Sequence, residues 1–379
     1  MSVVSRILLA SDVHSKVENV YRMGMWLQQR RIKPDMTISC GDLVNVNHDQ
    51  HGFASSIPAR NSTHSPSTVS QSLRRAADMM AKARKQQEEQ EFKAVLEGLR
   101  QITPNLYYVP GNHDPAEAFP DFHPARSIPR TAGTQEDGTV SESPLWQRMQ
   151  TALGAVNFHG RLVRLAPNLL MGGFGGSVPQ TLYHHHARVA AHPGYPYSEK
   201  DFGSGISDVM RRKRHILPGA NVLSNASHKI PTNTDPDTHI LVTHCGPAGV
   251  GTTDINKTPH EGPNTRLESG SHELQVSMSS PFYQGITEIT YNRDGNRRHG
   301  RNAEPEGTSP RKKGAISGML FHVHGHSHSA WGLSHLGSIP IINPGPLRDG
   351  RFAIATIEHG YGEGLVQRWA LTGVEFATV

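Results

Sequence analysis

Acidic, amide and imidazole side chains follow short apolar runs at five places in this sequence of 379 residues. One such run is Leu106–Val109, read LYYV, which is followed by Pro110–Asp114, read PGNHD. Aromatic and β-branched residues are typical of a buried strand, and Pro-Gly is typical of the turn that ends one. In open α/β sheets, ligands bind at the carboxyl ends of the strands. An amide, an imidazole and a carboxylate together suit a metal ion or a phosphate group, although Gly and Asn also fill ordinary turns.

The same pattern follows four other apolar runs. The candidate strands at 7–10, 36–39, 240–242 and 319–323 are followed by side chains that bind metal ions, namely Asp12 and His14, Asp42, His244, and His326 and His328. We expect all five strands to lie in one parallel-rich sheet, so that these side chains share one edge. Carboxylates and imidazoles that crowd together are costly unless cations lie among them. The sequence therefore predicts a metal site.

Helical and extended segments alternate in the first third of the chain. Residues 17–32 carry apolar side chains at helical spacing, and residues 68–100 form a longer predicted helix. This alternation predicts a parallel central sheet. From His159 the spacing changes to every second residue, which predicts a β-hairpin with a turn at residues 167–168. The tail supplies short strands at 339–342, 352–357 and 365–371.

Composition limits the classes of function. The formal net charge is +5, and residues 292–313 alone hold seven Lys or Arg against three Asp or Glu, which is +4 of that charge. A basic groove interleaved with aromatic residues, as in nucleic-acid-binding proteins, is therefore not predicted. Two cysteines, Cys40 and Cys245, exclude a disulfide framework and fit a reducing compartment as small buried residues. With no secretory or membrane-spanning segment in view, we expect a cytoplasmic protein.

Polar stretches rich in Pro, Gly or Ser interrupt the pattern. We interpret the chain as a single domain over residues 1–379, with surface insertions at about 47–67, 115–145 and 284–314. These insertions are candidates for recruiting a protein partner or covering the site. The run His184–His186 is interpreted as a solvated loop, and Arg211–Arg214 as a solvated helix end rather than a nuclear-localisation signal.

Taken in order, the motifs resemble those of the calcineurin-like metallophosphoesterase superfamily. The resemblance spans residues 7–345 and rests on Asp12-x-His14, Gly41-Asp42, Gly111-Asn112-His113-Asp114, Thr243-His244 and Gly325-His326-x-His328. It implies an α/β fold, a four-layer αββα sandwich of two mixed β-sheets flanked by helices. It also implies a dinuclear metal centre at the carboxyl ends of the strands.

The resemblance further implies roles for individual residues. One metal ion would be held by Asp12, His14, Asp42 and His328, and the other by Asp42, Asn112, His244 and His326. A hydroxide that bridges the metals would attack phosphorus, and His113 would protonate the leaving oxygen as the general acid. Asp114 is expected to orient an imidazole. Oxygen and nitrogen ligands without a thiolate suit two divalent ions of Mn, Fe, Zn or Co.

Departures from the family's phosphoprotein phosphatases bear on the substrate. Those enzymes read Gly-Asp-x-x-Asp-Arg-Gly and Gly-Asn-His-Glu, whereas this chain has GDLVNVN at 41–47 and GNHD at 111–114. The loops after Thr243 and Asn343 are more similar to those of the smaller phosphodiesterase-like members, and Arg348 is a candidate contact for a substrate phosphate. We expect hydrolysis of a phosphodiester or phosphomonoester. A catalytically weak scaffold that binds proteins, or a phosphoprotein phosphatase, remains the alternative.

Overall fold

The protein is described here by a computed structural model. The described residues are 3–46, 68–121, 143–184, 187–211, 216–218, 237–256, 265–284, 318–361 and 367–379. The predicted insertion at 47–67 and most of those at 115–145 and 284–314 lie outside these ranges. The basic segment 292–313, the residues His185 and His186, and residues 212–214 also lie outside them.

The first sheet contains the strands that open and close the chain. They are β1 (Val3–Ala10), β2 (Met36–Ser39), β3 (Leu106–Tyr108), β4 (Val156–Asn157), β16 (Arg351–Tyr361) and β17 (Gln367–Thr378). Their spatial order is β17-β16-β1-β2-β3-β4, and β1, β2 and β3 run parallel. Of the three short strands predicted in the tail, the one at 339–342 is confirmed, whereas those at 352–357 and 365–371 are longer than predicted. Strands β16 and β17 have 11 and 12 residues and pair antiparallel as a long hairpin.

The second sheet holds the strands of the middle and later chain. They are β5 (Arg161–Ala166), β6 (Leu169–Phe174), β9 (Ile216–Pro218), β10 (Thr238–Thr243), β13 (Gly318–Val323), β14 (Gly332–Leu336) and β15 (Ile339–Asn343). Their order is β14-β15-β13-β10-β6-β5-β9. The predicted hairpin of β5 and β6 is confirmed by their antiparallel pairing. The expectation of one sheet was wrong, because β10 and β13 pair here and not beside β1, β2 and β3.

A third, four-stranded sheet was not predicted. It contains β7 (Gln180–His184), β8 (Ala187–His192), β11 (Asp254–Asn256) and β12 (Thr265–Glu268), in the order β11-β12-β7-β8. These strands mix polar and apolar residues and lack the continuous apolar run that marks a buried strand. The sequence placed His184 in a loop, and this was wrong because His184 is the last residue of β7.

Helices cover the outer faces of the two large sheets. They are α1 (Val17–Gln29), α2 (Thr68–Ile102), α3 (Leu145–Leu153), α4 (Glu199–Arg211), α5 (His272–Met278) and α6 (Pro281–Gln284), with 3₁₀ turns at Ala116–Ala118 and Leu347–Asp349. The two helices predicted at 17–32 and 68–100 are confirmed. Helix α1 ends three residues early, just before Arg31 adopts a left-handed φ of 55°.

Three buried clusters show the layering. Between the two large sheets, Leu9 and Ile38 pack with Met171, Val242 and Phe321. Alternate residues of a strand point to opposite faces, so Leu8 packs on the other side, against helices α1 and α2. A third cluster joins the second sheet to helices α4 and α5. The predicted αββα sandwich is thus confirmed, and each fully buried Leu or Ile in it contributes about 1.5–3 kcal/mol.

Candidate metal centre

Two groups of metal-binding side chains meet where strands of the two large sheets end. One group is Asp12, His14, Asp42 and His328, and the other is Asp42, His244 and His326. Within each group the donor atoms lie within 4.8 Å of one another, and Asp42 belongs to both. Asn112 lies beside the second group, with its Oδ1 atom 2.8 Å from His244 Nε2. The structure therefore brings together every side chain that the sequence predicted as a ligand.

Backbone strain is concentrated on these residues. Asp12, His14, Asp42 and His326 adopt left-handed φ angles of 53°, 47°, 52° and 65°. Residues other than glycine are uncommon in this region, and each costs of order 1–3 kcal/mol, so the conformation persists only where the surroundings enforce it. Hydrogen bonds between loops enforce it here, because the Asp12 amide donates to the Gly41 carbonyl at 2.9 Å and the His14 amide to the Asp42 carbonyl at 3.0 Å.

Two glycines allow the loops to approach closely enough. A Cβ atom at Gly111 would overlap the amide nitrogen and the carboxylate Oδ1 of Asp42. A Cβ atom at Gly325 would overlap Ser11 Oγ and lie 2.6 Å from Asp12 Oδ2. The glycine in each motif is thus required by the packing of its loop against a carboxylate of the cluster.

The donor set fits divalent cations. Asp42 Oδ2 is buried and has no hydrogen-bond partner among the described residues, although His244 Nε2 lies 3.3 Å away and His14 Nε2 lies 3.8 Å away. A buried charged oxygen without a partner costs at least about 1–3 kcal/mol. A cation held by these carboxylate and imidazole donors satisfies that oxygen. The residues present therefore match a dinuclear metal centre.

The pKa shifts favour the metal-binding forms of Asp12, Asp42 and His326, but not that of His244. Burial raises the pKa of Asp12 and Asp42, but the neighbouring imidazoles, chiefly His328 for Asp12 and His244 for Asp42, together outweigh burial and hold both pKa values below their usual range. Burial lowers the pKa of His326 to about 3, so this imidazole is neutral. Burial also lowers the pKa of His244, but Asp42 then raises it to about 9. A metal ion therefore competes with a proton at His244.

His113 is held at the edge of the cluster. Its backbone amide donates to Asp42 Oδ1 at 2.7 Å, and its Nδ1 atom lies 3.2 Å from the carbonyl oxygen of Val46. A carbonyl only accepts hydrogen bonds, so Nδ1 carries a proton and donates it to Val46. The His113 ring lies 5.4 Å from the His14 ring, centroid to centroid.

Asp114 connects two loops through its buried carboxylate. Oδ1 accepts from the Val44 amide at 3.0 Å, and Oδ2 accepts from the Gly111 amide at 2.7 Å. Burial, with a contribution from Asp42, raises the pKa of Asp114 to about 7. These bonds fix the Gly111 loop against the loop of Asp42. The predicted role of Asp114 in orienting an imidazole stays a prediction.

Arg348 lies at the rim of the first group. Its backbone amide donates to the Asp12 carbonyl at 3.0 Å, and its own carbonyl accepts from Asn19 Nδ2 at 2.8 Å. Burial lowers the pKa of His328, and so does the positive charge of Arg348. The contact with Asp12 has the opposite effect, and the net result is a raised pKa. The exposed Arg348 side chain therefore acts on the cluster through its charge and faces solvent.

Sequence reasoning missed three residues at this centre, of which Gln180 contacts a candidate ligand and the other two contact a residue next to one. Gln180 Nε2 lies 3.0 Å from His326 Nε2, and Glu91 accepts a hydrogen bond of 2.7 Å from Ser15, the residue after His14. Asn343 donates to the carbonyl of Ser327, which lies between His326 and His328. Gln180 and Glu91 carry no local signal, whereas Asn343 belongs to a loop motif whose role the sequence left open.

Comparison with known proteins identifies the family. The sequence model of the calcineurin-like phosphoesterases matches residues 5–258. This chain belongs to the calcineurin-like phosphoesterase family. The resemblance inferred from the motifs is confirmed, and the protein is a metal-dependent hydrolase of phosphate esters. No curated protein sequence matches the chain.

Comparison with solved structures finds similar chains at low sequence identity. One that is 11% identical covers 99% of this chain and 99% of its own, with a TM-score of 0.51. The protein TT1561 of Thermus thermophilus is 14% identical over 93% of each chain, with a TM-score of 0.41. A dimetal phosphatase from Danio rerio is 8% identical over 99% of each chain, with a TM-score of 0.40. Within the described residues, no helix has the length and apolar character needed to cross a membrane.

Proposed function

We propose that this phosphoesterase hydrolyses a phosphodiester or phosphomonoester at a dinuclear metal centre, with His113 as the general acid. The observation that carries the proposal is the sharing of Asp42. Its carboxylate belongs to both donor groups and also accepts the backbone amide of His113 at 2.7 Å. One carboxylate thus fixes the distance between the candidate metal ligands and the candidate proton donor.

The donor set supports a specific assignment of ligands. Asp12, His14, Asp42 and His328 would hold one ion, and Asp42, Asn112, His244 and His326 would hold the other. Nitrogen and oxygen donors without a thiolate suit Mn, Fe, Zn or Co. When bound, two such ions stabilise charge on the phosphoryl group and lower the pKa of coordinated water.

The protein's own residues position the ester and move a proton. His113 keeps its Nδ1 proton on the Val46 carbonyl, so Nε2–H is the group that delivers a proton to the leaving oxygen. Arg348, exposed beside His328, supplies a permanent positive charge that contacts a non-bridging phosphate oxygen. Asp114 holds the loop that carries Asn112 and His113.

The alternatives lack this support. A scaffold has no need of strained backbone at four candidate ligands or of a histidine fixed to the shared carboxylate. The sequence GNHD in place of Gly-Asn-His-Glu disfavours a phosphoprotein phosphatase. A protein partner at the insertions, the single-domain organisation over residues 1–379 and the cytoplasmic location stay predictions.

The proposal is tested with metal-stripped protein. Mn²⁺, Fe²⁺, Zn²⁺ and Co²⁺ are added separately, and hydrolysis of an aryl phosphodiester, the matching monoester and a diester with an alkyl leaving group is measured. We expect His113→Ala to slow the alkyl diester by about 10²–10⁴-fold, because a poor leaving group depends most on a general acid. His335→Ala, on the exposed strand β14, is the matched control. Absence of hydrolysis of every ester with all four metals would contradict the proposal.

A further inference from the structure

Gln180 brings the unpredicted four-stranded sheet into contact with the candidate metal centre. It is the first residue of β7, and its Nε2 atom lies 3.0 Å from His326 Nε2 in a partly buried contact. The two residues are 146 positions apart in the chain. The contact therefore depends on how the four-stranded sheet is placed against the loop after β13.

The segment that leads into Gln180 is firmly attached. The Gly175 amide donates to His159 Nδ1 at 2.8 Å, and the Gly176 amide donates to the Pro110 carbonyl at 2.8 Å. The Ser177 amide donates to the Tyr195 carbonyl at 2.7 Å, and Val178 is fully buried. These contacts hold the backbone before Gln180 in place. A residue that orients another side chain needs such a rigid support.

His244 shows how this protein orients a candidate ligand. Its Nδ1 atom lies 2.7 Å from the Cys40 carbonyl oxygen, while its Nε2 atom faces Asn112 Oδ1 and Asp42 Oδ2 at 2.8 and 3.3 Å. Because a carbonyl accepts, Nδ1 carries a proton, and Nε2 is the nitrogen that gives its lone pair to a cation when the cation displaces the proton there. Ligating histidines usually have such an acceptor on the second ring nitrogen, which fixes the tautomer and the ring orientation.

At His326 the roles of the two nitrogens are reversed. Nε2 contacts Gln180, which lies outside both donor groups, so Nδ1 is the nitrogen that remains for the second group. A carboxamide presents oxygen and nitrogen at equivalent positions, and a half-turn about its last bond exchanges them. Gln180 is therefore able to accept a hydrogen bond from Nε2–H whenever Nδ1 gives its lone pair to a cation.

We propose that Gln180 is the positioning residue for His326. Its carboxamide oxygen accepts the Nε2 proton, fixes the tautomer with the lone pair on Nδ1, and strengthens that nitrogen as a ligand of the second metal ion. The inference rests on the proposed metal centre but not on hydrolysis. By this inference the four-stranded sheet contributes a residue to the site, and that residue lies outside the five sequence motifs.

Metal titration of two variants tests the proposal. Full-length, metal-stripped wild type, Gln180→Met and Gln180→Glu are titrated with Mn²⁺ by calorimetry. Methionine keeps the length of the side chain but is only a weak hydrogen-bond acceptor, so we expect one of two binding events to weaken by about 10–100-fold. Glutamate also accepts Nε2–H, so we expect Gln180→Glu to restore the wild-type affinity. Wild-type affinity in Gln180→Met, or equal losses in both variants, would overturn the proposal.

Controls separate this role from a structural one. Gln147→Met, on the exposed face of helix α3, should bind Mn²⁺ as the wild type does. The melting temperatures of metal-free wild type and Gln180→Met should agree, and a large drop that Gln180→Glu shares would indicate a structural role instead. The titration contains no ester. A wild type that binds two ions and cleaves no ester would contradict the proposed hydrolysis and leave the comparison of Gln180 variants intact.

Discussion

His14 Nε2 lies 3.3 Å from His328 Nε2, although the two residues are 314 positions apart in the chain. The rings meet edge to face at 90°, and each of these nitrogens also faces a carboxylate, Asp42 at 3.8 Å for His14 and Asp12 at 3.0 Å for His328. At most one N–H hydrogen fits between two imidazole nitrogens. The approach joins the first and last motifs of the site, and it places two candidate ligands of one metal ion side by side.

Removal of single ligands should separate the two metal sites. We expect His328→Ala to lose the ion of the first donor group and keep the other, since His328 belongs to the first group alone. Asp42→Asn should weaken both ions, because this carboxylate is shared. Elemental analysis after dialysis against Mn²⁺ measures the ratio of metal to protein. Loss of a single ion in Asp42→Asn would show that Asp42 does not bridge.

Metal binding should also stabilise the fold. A ligand that binds only the native state adds about 2.7 kcal/mol at a concentration of 100 times its Kd. We expect the melting temperature to rise with Mn²⁺ concentration and to fall on addition of a chelator, as scanning calorimetry would measure. In Asp42→Asn the metal-dependent rise should largely disappear. An equal rise in Asp42→Asn and the wild type would indicate that the stabilising ion binds elsewhere.

Asn343 should support the loop that carries His326 and His328. Its Nδ2 atom lies 2.9 Å from the carbonyl oxygen of Ser327 and 3.3 Å from those of Thr252 and Ala330. We expect Asn343→Ala to lower the free energy of unfolding by about 1–3 kcal/mol, because the Ser327 carbonyl loses its donor. Urea denaturation measures this change. Asn343→Asp is the informative comparison, because a carboxylate keeps the size of the side chain but faces these carbonyls without a donor.

Much of the site was predictable because it follows apolar strands directly. Asp12, Asp42 and His244 each come shortly after the end of a strand, so one short stretch of sequence shows both the strand and the polar residue that follows it. The sheet to which each strand belongs was not predictable. Strands buried on both faces, such as β10, show no alternation, and nothing local indicates which neighbour they pair with. The contact of Gln180 with His326 depends on that packing, and it was missed for the same reason.

Asp121 offers a test of pH dependence away from the metal centre. Its Oδ1 atom lies 3.0 Å from His159 Nε2, and the Tyr197 hydroxyl donates to its carboxylate at 2.9 Å. Because the Gly175 amide donates to His159 Nδ1, the proton lies on Nε2 and is donated to Asp121. Burial raises the pKa of Asp121, but the contacts with His159 and Tyr197 together outweigh burial and leave this pKa below its usual value.

The sign of the resulting pH dependence follows from linkage. A carboxyl group with a lowered pKa in the folded protein stabilises it above the ordinary pKa of about 3.9, and the contribution is lost as the pH falls through the lower folded value. We expect Asp121→Asn to melt below the wild type at pH 7, and the difference to shrink below about pH 4. The loss should not exceed about 1 kcal/mol, because the Asp121 side chain is 52% exposed and screened by water. Calorimetric scans of both proteins from pH 7 to pH 3 measure this difference in melting temperature. A difference that stays constant over that range would show that the charge of Asp121 contributes nothing to stability.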